Sequence, residues 1–431
     1  MPSTSSLRWT AVLVGLALIG PAAPVVAQPS SGPSSFSKGQ TGQTQAVAAA
    51  PRDPVVVPTL TARATLSADY SAPGPDSGAL ATPANGRKGP FPGQVIPGFS
   101  GAVHNRGGTY WAMPDNGFGS KANSPDFLLR IYRVKPRWET AFGGRGEIRI
   151  KRYISLRDPD HKIPFAIVHE DSRDRLLTGQ DFDIESIQRA KDGSFWIGDE
   201  FGPWLLHVSR RGKMLQAPVP FPDGKGPDNA TLSPGETPNT SRSRGLEAMA
   251  ARPDGHRLYP ILEGSLTNDP NKRRRVVYEF DTLRNRYTGR TWAYRVDADT
   301  NMVADAQWVG HKKLMVIERD DFNGPPAVTK RVYTVDLNRR DAAGFAKKSL
   351  FIDLLNIANP DEIGVAASPG AYGVGEPFKF PFQSVETIVP LGRNRYFVAS
   401  DNNYPTNDAR YPGTPDDTEM IVISMRKRWE S

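Results

Sequence analysis

Cysteine is absent from the 431 residues. That single lack excludes a disulfide framework, thiolate zinc sites, iron–sulfur clusters and a cysteine nucleophile. Histidine is scarce, with six residues at 104, 161, 169, 207, 256 and 311 and no metal-ligand spacing among them. The common catalytic signatures are missing as well. There is no Walker A loop, no His-Glu-x-x-His and no Gly-x-Gly-x-x-Gly. The nearest approach to a nucleophile elbow, Gly98-Phe-Ser-Gly-Ala102, fails at its last position. Long helices are disfavoured by composition, since 40 glycines and 39 prolines punctuate the chain. Basic residues exceed acidic ones, 54 to 46, for a net charge of +8, but the two signs are interleaved. Nucleic acid is therefore not an expected partner.

What the chain does have begins with a targeting segment. Arg8, the apolar run Ala11 to Ile19, then Pro21 and Pro24 and the small residues Val25-Val26-Ala27 have the layout of a secretory signal peptide, 1–27. The run is too short to span a bilayer, so no stable membrane insertion is expected. The mature protein is expected to be secreted or periplasmic. Residues 28–58 are Ser, Gly, Pro, Gln and Ala with almost no aromatics, and read as a disordered linker ahead of a domain over 59–431. Ser71–Gly93 has a similar composition. Leu60 to Leu66 alternates between them like a strand, which must join a sheet formed later in the sequence.

The remainder carries a repeat. Its clearest copies are Gly108-Thr-Tyr-Trp-Ala-Met-Pro-Asp115 and Gly193-Ser-Phe-Trp-Ile-Gly-Asp-Glu200, and weaker ones end at Glu263, Glu318 and Asp401. Each follows a small or acidic lead pair: Ser100-Gly101, Glu185-Ser186, Leu246-Glu247, Ala304-Asp305 and Val385-Glu386. A small antiparallel sheet with two apolar faces buries both only against copies of itself, and radial stacking satisfies every copy. The expected fold is an all-β β-propeller, six-bladed by preference with five or seven blades also open, in which the strand Leu60–Leu66 pairs with C-terminal strands to complete a further blade beyond the five visible copies.

In such a ring equivalent positions of successive blades converge on one end of the channel. Lead and tip acids would meet there: Asp115, Asp181, Asp183, Glu185, Asp199, Glu200, Glu247, Glu263, Asp305, Glu318, Asp320, Glu386 and Asp401. Unneutralised, they would repel one another. Oxygen ligands without a Cys or His cluster favour Ca²⁺ or Mg²⁺ over zinc. Asp183, Glu185, Glu247, Asp305, Glu318 and Glu386 are the expected cation ligands. Glu185 and Glu247, with Arg244 and Arg319, are the expected catalytic groups, the arginines facing an anionic transition state. Substrate contacts are assigned to His104, Asp115, Asn116, Asp199, Glu200, Asp320, Asp401 and Asn402.

These residues resemble the phytase-like domain family known for an esterase-like activity of phytase. The resemblance rests on Gly98-Phe-Ser-Gly, Asp183-Ile-Glu-Ser186, Trp196-Ile-Gly-Asp-Glu-Phe-Gly202, Arg244-Gly-Leu-Glu-Ala248, Asp305-Ala-Gln-Trp308, Val316-Ile-Glu-Arg-Asp320, Val385-Glu-Thr-Ile388 and Ala399-Ser-Asp-Asn402. It implies a secreted propeller and a metal-dependent hydrolase of phosphoesters or carboxylic esters. Calcium is the expected cation, with no organic cofactor, and the protein is expected to act on a small anionic or ester substrate as a monomer. The rival expectation is a non-catalytic propeller that binds a ligand or polymer, with structural calcium and with Trp111, Trp196 and Tyr404 as stacking platforms.

Overall fold

The computed structural model describes residues 55–428 and contains only strands, turns and loops there. The expected signal peptide, and the expected linker up to residue 54, lie outside the described residues. Strand β1 (Val55–Leu66) begins four residues before the expected domain boundary at 59. Two short strands, β2 (Ser71–Ala72) and β3 (Gln94–Val95), pair with each other. The segment between them, which composition likens to the linker, is packed: Phe91 meets the rings of Phe118 and Tyr404 at 6.0 and 5.1 Å.

Five four-stranded antiparallel sheets follow. Blade 1 is β4 (Gly101–Asn105), β5 (Thr109–Met113), β6 (Arg130–Arg137) and β7 (Glu147–Ser155). Blade 2 is β8 (Ile184–Arg189), β9 (Phe195–Asp199), β10 (Trp204–Val208) and β11 (Val219–Pro220). Blade 3 is β12 (Ala248–Ala251), β13 (Arg257–Ile261), β14 (Arg274–Asp281) and β15 (Arg286–Arg295). Blade 4 is β16 (Met302–Gly310), β17 (Lys313–Arg319), β18 (Lys330–Arg340) and β19 (Ala346–Asp353). Blade 5 is β20 (Ser384–Gly392), β21 (Arg395–Asp401) and β22 (Thr418–Arg428), completed by β1.

The ring is therefore a propeller closed by its N-terminal strand, with five blades rather than six. β1 does not open a new blade: it pairs antiparallel with β22 from Val55↔Arg428 to Leu66↔Thr418 and supplies the fourth strand that the fifth repeat lacks. At the rim β1 also meets β7 of blade 1 through one parallel pair, Thr65↔Glu147.

Packing gives the same count independently. Five apolar clusters each join two neighbouring blades: blades 1 and 2 through Trp111 and Phe195, 2 and 3 through Trp196 and Phe280, 3 and 4 through Tyr259 and Val316, 4 and 5 through Ile317 and Val385, and 5 and 1 through Phe397 and Tyr110. Each sheet thus buries both faces. Closing residues Ala64 and Leu66 of β1 belong to the last of these clusters.

Candidate functional site

The first strands of all five blades start at the same end of the ring, and their second strands finish there. A bulge shapes that end. In β8 the register steps from Ile184↔Asp199 to Ser186↔Gly198, and in β20 from Val385↔Ser400 to Thr387↔Ala399. The extra residues are Glu185 and Glu386. A bulged residue leaves the alternation of its strand, which re-aims its side chain. Glu247, immediately before β12, holds the same place in blade 3, and Ser100, immediately before β4, holds it in blade 1. In β16 the step runs from Val303↔Glu318 to Asp305↔Ile317, so blade 4 has Ala304 there.

A second tier lies at or just past the ends of the second strands: Asp115, Glu200, Glu263, Arg319 and Asp401. Arg319 pairs with Met302 as Asp401 pairs with Ser384, so blade 4 places an arginine where four blades have an acid. Asp183 adds a further carboxylate in blade 2. Close backbone approach makes this convergence feasible. Gly98 sits at φ 120°, and a Cβ there would stand 2.4 Å from Asp401 Cα. At Gly245 a Cβ would stand 2.3 Å from the Glu200 carbonyl oxygen.

Together these residues line a cavity of about 190 Å³ holding nine carboxylates, Asp321 included, and two arginines. Two triads, Asp115–Asp183–Glu185 and Glu185–Glu247–Glu386, can each bring one oxygen per residue within 4.8 Å of the others. All five acids are buried. Arg319 Nη2 donates to Glu263 at 2.7 Å and Glu386 at 3.1 Å, and stands 3.8 Å from Glu247. Arg244 Nη1 donates to Glu263 at 2.7 Å. Asn116 donates to Asp183 through its amide at 2.8 Å and its backbone N–H at 3.2 Å. Glu247 Oε1, by contrast, is buried with no hydrogen-bond partner.

The electrostatics follow from that imbalance. Burial, reinforced by Glu386, Glu263 and Glu200, pushes the Glu247 carboxyl well above the usual range. Burial with Glu247 and Asp183 does the same to Glu185, and burial with Asp115 to Asp183 and Asp401. Burial with Glu263 raises Glu200 likewise. Asp115 is raised to about 7, mainly by burial, against the N–H of Gly117. Burial disfavours the charge of Arg319, yet Glu263, Glu386 and Glu247 outweigh it and push that guanidinium up.

Of the expected site residues, Asp115, Asn116, Asp183, Glu185, Glu200, Arg244, Glu247, Arg319, Glu386 and Asp401 line the mouth. Six others stand elsewhere. Asp305 is one residue past the bulge, and the period of two turns it away to accept from Ile388 N at 2.8 Å and Ala306 N at 2.7 Å. Glu318 is held between blades 3 and 4 by Tyr294 Oη and Lys348 Nζ at 2.6 and 2.7 Å. Asp199 accepts from Asp183 N and Gly202 N behind the cavity wall, at 2.9 and 2.7 Å. Asp320 is bound to Thr329 N and Lys330. Asn402 ties Asp416 O to Tyr404 N. His104 stands near the far end of β4 against Tyr110. Asp181, another lead acid, instead holds the loop N–H groups of Val168 and Thr178.

Glu263 and Asp321 are the mouth acids the assignment of roles omitted, although the alignment of Glu263 with Glu200 marked it. The proposed stacking platforms are core: Trp196 lies 4.0 Å from the His207 ring, and Trp111 and Tyr404 are buried.

Among known proteins, an uncharacterized secreted protein of Arthroderma benhamiae is 32% identical over 262 residues, covering 47% of this chain. The match spans 51% of that relative's length, about half. Solved structures with a similar trace include a GH43 β-1,3-galactosidase with galactodeoxynojirimycin, 13% identical with a TM-score of 0.38 over 83% of this chain and 100% of that one. Another is the PQQ-bound aldose sugar dehydrogenase of Streptomyces coelicolor, 12% identical with a TM-score of 0.32 over 86% and 99%. Residues 94–404, from the first mouth loop to the last, match the family described as phytase-like, esterase-like activity of phytase, and the chain belongs to that family.

Proposed function

We propose that the channel mouth is the active site of a secreted, divalent-cation-assisted hydrolase of phosphoesters or carboxylic esters. The observation that carries this reading is a buried carboxylate excess with one oxygen, Glu247 Oε1, left without a donor. That oxygen lies 3.8 Å from Arg319 Nη2, which is already bonded to Glu263 and Glu386; a buried carboxylate so poorly compensated is costly, and a cation is its natural counterpart. The donor set fits a hard ion: it is all oxygen, with no sulfur or imidazole in the cavity lining. Glu185 would be shared by the two triads, with Asp115 and Asp183 on one side and Glu247 and Glu386 on the other. When bound, such a cation supplies Lewis-acid polarisation of a phosphoryl or carbonyl oxygen.

The chain's own groups supply the rest. Arg244 is the more accessible guanidinium and reaches an anionic substrate at the rim, while Arg319, clamped by Glu263 and Glu386, presents a fixed charge from the floor. Asp115, the outer member of the first triad, is held in place by the Gly117 N–H at 2.7 Å and would keep its second oxygen for the cation. Asp199 positions Asp183 through that residue's backbone N–H.

The test is turnover of p-nitrophenyl phosphate and p-nitrophenyl acetate by the mature protein, with chelator and after calcium is restored. The expected result is cation-dependent turnover that falls on the order of 10²-fold or more in Glu247→Gln and Glu185→Gln. Absence of turnover with calcium, magnesium and manganese alike would overturn the reading.

A further inference from the structure

Outside the mouth, blades 1 and 2 leave a groove of about 340 Å³ whose lining is dominated by arginine. Arg152 comes from β7, Arg157 from the loop after it, and Arg210 and Arg211 from the turn after β10. Among the described residues, Arg157 alone of these four meets a carboxylate, Asp174 at 3.3 Å. The nearby Lys213 is neutralised by Asp160 at 2.8 Å.

The sheet beneath is built against its own electrostatics. β6 and β7 place Arg133 directly opposite Arg152 and Lys135 directly opposite Arg149. Like charges facing across a ladder repel and lower its stability. Only the second pair is relieved, by Glu147 at 2.7 Å from Arg149. Arg152 has a packing role over the Trp111 ring, but no ion pair or ring contact accounts for bringing Arg210 and Arg211 to the same groove among the described residues. The global balance points the same way: the chain is +8 overall although the mouth lining is −7 (nine acids against two arginines), so everything outside the mouth carries +15.

The groove also narrows the class of partner. Both aromatics beside it are already capped by guanidinium groups, Tyr153 by Arg130 at 4.0 Å and Trp111 by Arg152 at 5.1 Å. The groove therefore offers no run of open rings on which successive nucleobases could stack. Ile154 is the one aliphatic side chain in the lining, too little apolar surface to enter a bilayer. What remains is forked, charge-assisted recognition of carboxylate, sulfate or phosphate groups. We propose that this groove binds a linear anionic polysaccharide through Arg152, Arg210 and Arg211, and so tethers the protein to polyanionic material outside the cell. This site is independent of the chemistry assigned to the mouth.

The test is equilibrium binding of the mature protein to fluorescent heparin and polygalacturonate, with phosphatidylglycerol vesicles and a single-stranded oligonucleotide as competing probes. The expected result is salt-sensitive binding to at least one of the polysaccharides, tighter than to vesicles or oligonucleotide. The triple variant Arg152→Gln, Arg210→Gln, Arg211→Gln should weaken it on the order of a hundredfold. Its thermal midpoint should be equal or higher, because repulsion is relieved. A charge-matched variant, Arg290→Gln, Arg339→Gln, Arg340→Gln, and the mouth variant Glu247→Gln should both bind within a few-fold of the unmodified protein. Equal losses in the two triple variants, or tighter binding to vesicles or oligonucleotide, would overturn the proposal.

Discussion

Two clusters of buried charge in this ring use the same residue types to opposite ends. Where β1 closes the ring, Glu419 is 1% exposed and accepts from Arg63 Nη2 at 2.8 Å and from Arg410 Nη2 and Nε at 2.7 and 3.3 Å. Burial alone would raise its carboxyl, but Arg410 and Arg63 outweigh that and hold it below the usual range. At the mouth Glu247 is 3% exposed, and its nearest cation, Arg319, is already shared with Glu263 and Glu386. Its carboxyl moves the other way. Depth of burial is the same in both places. The counter-charge differs: at the closure Glu419 has two arginines bonded to it, whereas at the mouth nine carboxylates share two. A balanced cluster stabilises a seam, whereas an unbalanced one creates affinity for something positive.

The comparison breaks most visibly at Glu419. Glu419→Ala leaves two buried guanidinium groups without the carboxylate that binds them, and should destabilise the protein by about 3–5 kcal/mol in urea unfolding. Glu247→Gln should do the reverse in chelator, raising stability by up to about 1 kcal/mol, since it removes a charge from an excess. A loss of several kcal/mol from Glu247→Gln would put the mouth in the same class as the seam. Calcium sharpens the distinction. At a hundredfold excess over its dissociation constant it should stabilise the unmodified protein by about 2.7 kcal/mol. Glu185→Gln, which removes the residue common to both triads, should abolish most of that gain.

The ring and its acidic end were legible in the sequence for one reason: the repeat aligns strand tips, and circular stacking brings aligned positions together. Asp115, Glu200 and Asp401 were found that way, as were Glu185, Glu247 and Glu386. Blade count was not legible, because whether β1 opens a sixth sheet or completes a fifth depends on its pairing with β22, more than 350 residues away. Asp305 was misplaced by a single position. Its blade puts the bulge at Ala304, and parity then decides which way an acid points, something residue types do not encode. Arg319, next to the tip acid Glu318, holds the blade-4 slot by the same one-residue step. Residues 71–93 resemble a linker in composition, yet a few anchors order them. Phe91 packs on Tyr404, and Asp126 accepts the N–H groups of Gly78 and Ala79 at 2.9 and 2.8 Å.

The smallest expected effect separates the clusters by pH. A carboxyl whose folded pKa lies above its unfolded value binds its proton more tightly in the native state, so it makes stability fall as pH rises between the two values. Asp115, raised to about 7 from an ordinary 3.8, acts across that window, and Asp199 and Asp305, also raised to about 7 by burial, add to it with the same sign. Glu419 has the opposite sign: its contribution is present above 4.5 and is lost as pH falls through its lowered folded value. In chelator, the urea midpoint should therefore decline from pH 5 to pH 7, with the acid-side loss from Glu419 confined to lower pH. Asp115→Asn keeps an oxygen to accept from Gly117 N but cannot ionise, so it should recover on the order of 1 kcal/mol of that decline. Saturating calcium should flatten the same slope in the unmodified protein, because a bound cation favours the ionised carboxylates. A midpoint that rises from pH 5 to pH 7 in chelator would mean that the mouth acids are already neutralised by the protein itself, and the contrast with the closing seam would disappear.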